Sequence, residues 1–312
     1  MKLPLLLALT SLISAAHAAP AKAPKTQKPR SAQEVLAASP ASDWRALDPD
    51  NTLLMMLQTP QGPGQVLIEL APRFAPAHAA NIRALAHGRY YDGLSILRVQ
   101  DNFVTQWGDP DGDDADKARK LPEGAAARLP AEFSVPLDSI GRDAGYIKLR
   151  ETDGWASRNG FAGGMPVAAD PRTGRAWLAH CYGMVGAGRS DAVDSSTGAE
   201  LYVVIGHAPR ALDLNITVVG RVLKGMELLS GLPRGSAAMG FYDKPEQRVT
   251  IQSVRLLADL PAEERPALQV LKTESATWSA LLDARRNRSG WYVHSPGRVD
   301  LCSAPVPTRP TP

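Results

Sequence analysis

Two strand-like apolar runs, Thr52-Leu53-Leu54-Met55-Met56-Leu57 and Val66-Leu67-Ile68-Glu69-Leu70, are joined by Thr59-Pro60-Gln61-Gly62-Pro63-Gly64. Apolar runs of this length flanked by Gly and Pro predict a β-hairpin. Similar punctuation recurs along the chain, roughly every 8–12 residues. Further strands are expected at 94–99, about 103–107, 201–205, 216–219 and 249–257. Two short helices interrupt them. One follows Ala75-Pro76, where proline in the first turn costs no hydrogen bond; Ile82, Leu85 and Ala86 form its apolar stripe and Gly88 ends it. The other runs from Gly225 to about Leu229. Many short strands with few helices predict an all-β sandwich or barrel.

Four regions follow from this pattern: a signal peptide at 1–18, a leader at 19–50, a main domain at 51–258 and a C-terminal extension at 259–312. Lys2, the apolar run 3–13 and Ala16-His17-Ala18 have the form of a secretory signal, with cleavage expected after Ala18. The run is too short for a membrane span, which needs about 20 apolar residues. These features point to a periplasmic or secreted protein. The leader, rich in Ala, Pro, Lys and Ser, is expected to be flexible. Within the main domain, residues 110–180 are weakly periodic and rich in Gly, Asp and Arg, so long loops with short strands are expected there. In the extension, Leu268, Leu271, Ser275, Trp278 and Leu282 follow at helical spacing, predicting a helix to about Arg288. Such a stripe is stable in water only when buried, so the extension should pack back on the domain. Cys181 and Cys302 are either a disulfide or two buried thiols; the docked extension would bring them together.

Charge argues against nucleic acid. Lys+Arg total 35 and Asp+Glu 32, but Lys2, Lys22, Lys25, Lys28 and Arg30 precede the structured region, leaving 30 cations against 32 anions. A body of that balance lacks the basic footprint that phosphate binding needs. The acidic run at 109–116 fails the EF-hand template, with Asp114 where Gly is required and Lys120 at the bidentate Glu position. No nucleophile motif, P-loop or metal-spaced His pair occurs.

One segment carries chemistry: Ile96-Leu97-Arg98-Val99-Gln100-Asp101-Asn102-Phe103-Val104-Thr105-Gln106-Trp107-Gly108-Asp109. Strand alternation puts Ile96 and Arg98 on one face, and Val104 and Gln106 on one face of the next strand. For an arbitrary strand pair, Arg98 and Gln106 would be solvated edge residues. Here the pattern resembles the signature of cyclophilins, peptidyl-prolyl cis/trans isomerases, written F-x-R-V-x-x-x-F-x-x-Q-x-G-D. Gly88-Arg89-Tyr90-Tyr91-Asp92-Gly93, Gly198-Ala199-Glu200-Leu201-Tyr202-Val203 and the stretch from Leu212-Asp213 to Gly225-Met226 also resemble family blocks, in order.

The resemblance implies an eight-stranded antiparallel β-barrel capped by two helices, with 110–180 as a long divergent insertion. It implies isomerisation of X-Pro bonds, Pro-containing segments of exported proteins as partners, and no cofactor or metal. By position Arg98 would be the electrostatic catalyst, Gln106 would orient the substrate backbone, and Phe103 would stand with them. Val104, Tyr202, Leu212, Ile216 and Glu200 would line the substrate pocket. Ile216 stands where the family usually carries His, Ala211 where it carries an aromatic, and Glu200 where it carries Gln. The missing aromatic implies weak cyclosporin binding. The bare pocket wall also leaves open an attenuated module that grips Pro-containing segments as a chaperone or scaffold.

Overall fold

The computed structural model describes residues 30–59, 62–141 and 145–311. The proposed signal peptide and the first part of the leader lie outside the described residues. The chain passes through helix α1 (Ala32–Ala37) and strand β1 (Trp44–Ala46) before the hairpin β2 (Thr52–Thr59) and β3 (Gly62–Leu70). Helix α2 (Pro76–His87) and strands β4 (Ser95–Val99) and β5 (Val104–Gly108) follow. The insertion supplies β6 (Val135–Pro136), β7 (Ile147–Lys148), β8 (Arg158–Ala162), β9 (Met165–Asp170) and β10 (Arg175–Leu178). Then come β11 (Met184–Ala187), β12 (Leu201–Val204), β13 (Val218–Lys224), helix α3 (Met226–Ser230) and β14 (Val249–Leu256). The extension adds β15 (Leu268–Leu271), α4 (Ala276–Arg286) and β16 (Thr308–Pro310).

Eight strands close a barrel in the order β11-β12-β5-β4-β14-β2-β3-β13, every pairing antiparallel. Alternation fills it. Leu53, Met55 and Leu57 of β2 and Val66, Ile68 and Leu70 of β3 point inward with Ile96, Trp107, Val185 and Val203. Helix α2 lays Ile82, Leu85 and Ala86 on this core. Its N-terminal Ala75 offers no capping side chain. Glu132 of the insertion does so instead, accepting from the backbone N–H of Ala77 and His78, both at 3.0 Å.

A second apolar core lies on the outer face of the barrel, and it corrects two expectations. Residues 110–180 are long loops with short strands, as expected, and those strands pair as one antiparallel sheet, β6-β10-β9-β8-β7. Its buried Phe161, Val167, Ala168 and Trp177 pack with Val104, Tyr202, Val204 and Val218 of the barrel. The described part of the leader is not a flexible tether: α1 is closed by a capping box between Ser31 and Glu34, and β1 pairs with β15. The extension is not one helix from Leu268. Leu268–Leu271 is the central strand of the sheet β1-β15-β16, because Ser275 caps a new start at Ala276 and the helix begins there. Trp278, Leu281 and Leu282 are the buried stripe of α4, and Trp278 meets Phe161 edge-on at 4.9 Å.

Polar and covalent ties hold this layer together and to the barrel. Arg221 of β13 donates to Glu69 at 3.0 and 2.9 Å and to the carbonyl of Gly164, in the β8–β9 turn, at 2.5 Å. Arg286 of α4 holds Glu151 of the insertion at 2.5 and 2.9 Å. Cys181 and Cys302 are joined as a disulfide, with their Cα atoms 4.9 Å apart. Among the described residues no helix is long and apolar enough to cross a membrane.

Candidate active site

The outward position of Arg98 depends on a β-bulge. Ile96 pairs with Trp107 but Arg98 pairs with Gln106, so Leu97 is an extra residue on β4. The shared face expected for Ile96 and Arg98 is therefore wrong: Ile96 is fully buried inside the barrel, and the bulge turns Arg98 to the opposite face, where it remains buried at 7% exposure. Directly opposed residues project from the same face of a sheet. Tyr202 pairs with Gln106 and Gln106 with Arg98, which aligns the three across β12, β5 and β4.

Arg98 is held on several sides. Its Nε donates to the Met239 carbonyl at 2.6 Å, one terminal nitrogen to Gln106 Oε1 at 3.0 Å, and the other to Gln100 Oε1. A guanidinium has five N–H groups, so one on each terminal nitrogen has no partner among the described residues. The Phe103 and Phe241 rings lie 5.4 and 5.3 Å from its central carbon. Burial pulls the Arg98 guanidinium below its ordinary value, and the Glu200 carboxylate opposes that. Gln106 passes the chain on by donating to Glu200. Burial pushes the Glu200 carboxyl above the usual range, with the Gln106 bond working against it. Gln106, Glu200 and Phe241 open on a cleft of about 600 Å³.

Beside this polar line sits an apolar floor. Val104 and Tyr202 are buried, and Phe103 and Ile216 are half-buried against the same packed group. Leu212 ends a 3-10 turn (Ala208–Leu212) and is half-buried; Ala211 is exposed. The Tyr202 ring lies where a Cβ on Gly186 would come within 2.2 Å, so only glycine fits there.

The sequence did not point to His180. Its Nε2 is 2.9 Å from the Tyr202 hydroxyl, its Nδ1 2.9 Å from Asp213, and its ring is parallel to that of Tyr202 with centroids 6.2 Å apart. Asp213 also accepts from Trp177 Nε1 at 3.1 Å and Arg210 Nε at 3.0 Å. Burial raises the Asp213 carboxyl, but His180 and Arg210 outweigh it and the net shift is downward. Thus the insertion anchors the floor through His180 and Trp177. A lone histidine at the end of a weakly periodic stretch gives no sequence signal for such a role. Phe241 and Met239 were also missed.

An Arg with N–H groups unpartnered among the described residues, beside an apolar floor, suits a reaction needing binding and charge rather than proton transfer. That defines a prolyl isomerase of the barrel class. The family profile described as cyclophilin type peptidyl-prolyl cis-trans isomerase/CLD matches residues 54–256, and the chain belongs to that family. A probable peptidyl-prolyl cis-trans isomerase of Brucella suis is 27% identical over 198 residues, 62% of this chain and 76% of that protein. A peptidyl-prolyl cis-trans isomerase of Schizosaccharomyces pombe is 47% identical over 49 residues, 16% of this chain and 32% of its own. The crystal structure of the cyclophilin AquaCyp293 from Hirschia baltica superposes with a TM-score of 0.66 at 25% identity, covering 90% of this chain and 98% of that one. That coverage extends beyond residues 54–256, so the likeness includes much of the sequence outside the family profile.

Proposed function

We propose that this isomerase acts on X-Pro bonds of exported proteins, in the periplasm or outside the cell, and assists their folding. Rotation about an X-Pro bond meets a barrier of about 18–20 kcal/mol because resonance stiffens the C–N bond. In the twisted state the prolyl nitrogen regains its lone pair, and a guanidinium N–H donated there favours that state over the planar ones. In this reading Arg98 donates, Gln106 holds the adjoining backbone, and Phe103, Val104, Tyr202, Leu212 and Ile216 take the ring.

The observation that carries the exported setting is the Cys181–Cys302 disulfide, since such bonds persist in oxidising compartments. The signal-like start at 1–18 supports it from sequence. Fractionation with mass spectrometry tests it. The account expects an exported chain beginning after Ala18 with no alkylatable thiol; a cytosolic chain carrying two free thiols would overturn it. Weak cyclosporin binding belongs to the same reading, because exposed Ala211 offers no aromatic anchor. Such an anchor is worth about 2 kcal/mol or more, so a nanomolar dissociation constant by calorimetry would contradict it. A prolyl-peptide exchange assay separates turnover from mere binding, the alternative that Ala211 and Ile216 favour.

A further inference from the structure

Arg98 has cross-strand neighbours on both sides. Gln106 faces it from β5, and on the other side the segment between α3 and β14 lies along β4. Gly235 N–H donates to the Val99 carbonyl and Tyr242 N–H to the Leu97 carbonyl, both at 3.0 Å. Between them Phe241 pairs antiparallel with Arg98. The row Tyr202, Gln106, Arg98 therefore has a fourth member, Phe241, on the same face.

Phe241, whose ring lies 5.3 Å from the Arg98 guanidinium carbon, is 38% exposed, and Met239, whose carbonyl accepts from Arg98, is 63% exposed. They are held there. Met239 adopts φ 58°, which costs an L residue energy and persists only where surrounding contacts impose it. One such contact is the bond from Arg98 Nε to its carbonyl. Gly240 is pressed so closely on β4 that an added Cβ would lie 2.7 Å from the Gln100 Cα.

We infer that Phe241, with Met239 beside it, contacts substrate and forms an apolar subsite for a bulky side chain within two residues of the isomerised proline. The reach follows from spacing: adjacent strands are about 4.8 Å apart and an extended peptide advances about 3.3 Å per residue. A substrate whose X-Pro bond lies over Arg98 meets Phe241 one or two residues along. This rests on the isomerase reading of the same site.

The test uses peptides sharing one Ala-Pro core, with Leu or Asn at each of the two flanking positions on either side. Affinity by fluorescence polarisation and turnover by NMR exchange are measured for the wild type, Phe241→Ala and Phe241→Leu. The wild type should prefer Leu over Asn at one position by about tenfold. Phe241→Ala should reduce that preference to within about twofold, through KM rather than kcat, and Phe241→Leu should retain most of it. A uniform fall for all peptides with the preference intact would show that Phe241 only buttresses Arg98, and would overturn the subsite. So would a wild type with no preference. A binding preference erased by Phe241→Ala without any turnover would uphold the subsite and defeat the isomerase reading instead.

Discussion

The inward face of β5 carries Thr105 and Trp107, both buried in the barrel, whereas its outward face carries Val104, packed beneath the insertion, and Gln106, open to the cleft. The barrel interior is completed by its own strands and the two helices that cap it. The outer core is assembled from the leader, the insertion, the extension and the barrel wall. The site lies where the outer core stops. Its floor is therefore shared between the segment that defines the family and the segments added to it, and stability of the added layer bears on the pocket through His180 and Tyr202.

If the two cores are separable, breaking the outer one should leave the barrel standing. The largest effect is expected from replacing both cysteines by serine. The disulfide spans a sequence separation of 121, and closing a loop of that size is worth about 4–5 kcal/mol in the chain-entropy account. Hydrogen exchange should rise across the insertion sheet and the extension while β2, β3 and β14 stay protected. Equal loss of protection in both cores would dissolve the comparison.

Trp278→Ala comes next, at about 3–5 kcal/mol for a fully buried aromatic. Because Trp278 meets Phe161 of the insertion in the outer core, separable cores should give two unfolding transitions, of which the outer-core one moves and the barrel one holds. Calorimetry checks this, and a single transition shifted as a whole would count against it.

A smaller effect, visible only in acid, should come from Glu151. The Arg286 hydrogen bond lowers its carboxyl from 4.5 to about 2. A depressed folded value means a contribution present above the unfolded value and lost as pH falls from about 4.5 towards 2. The wild type should lose outer-core stability across that window, and Glu151→Gln should be weaker at neutral pH with a flatter acid limb. Parallel pH profiles for the two proteins would remove Glu151 from the account.

The unequal legibility of the two cores has the same origin. In β2 and β3 the large residues come in unbroken apolar runs flanked by Gly and Pro, and length and punctuation mark them as strands even though both faces are buried. In β8 to β10 the buried positions include Gly160, Ala168, Ala169 and Ala176, too small to make a periodic signal. Arg98, Phe103 and Gln106 were legible because they fall close together in one motif. The bulge at Leu97 was not, since it depends on pairing with β5, and neither was Phe241, which reaches the site through an isolated bridge to a residue far away in sequence. His180 and Asp213 meet across 33 positions and give no local pattern.

On the proposed function, Arg98, turned out of the barrel interior by the bulge and keeping two N–H groups unpartnered among the described residues, lowers the barrier to X-Pro rotation. NMR exchange spectroscopy on a Pro-containing peptide, comparing the wild type with Arg98→Ala, tests it most directly. The account predicts wild-type acceleration of cis/trans exchange and a loss of about a hundredfold or more in the variant, the scale of one preorganised donor, with its amide spectrum otherwise preserved. Exchange within twofold of wild type in a folded Arg98→Ala protein would contradict it.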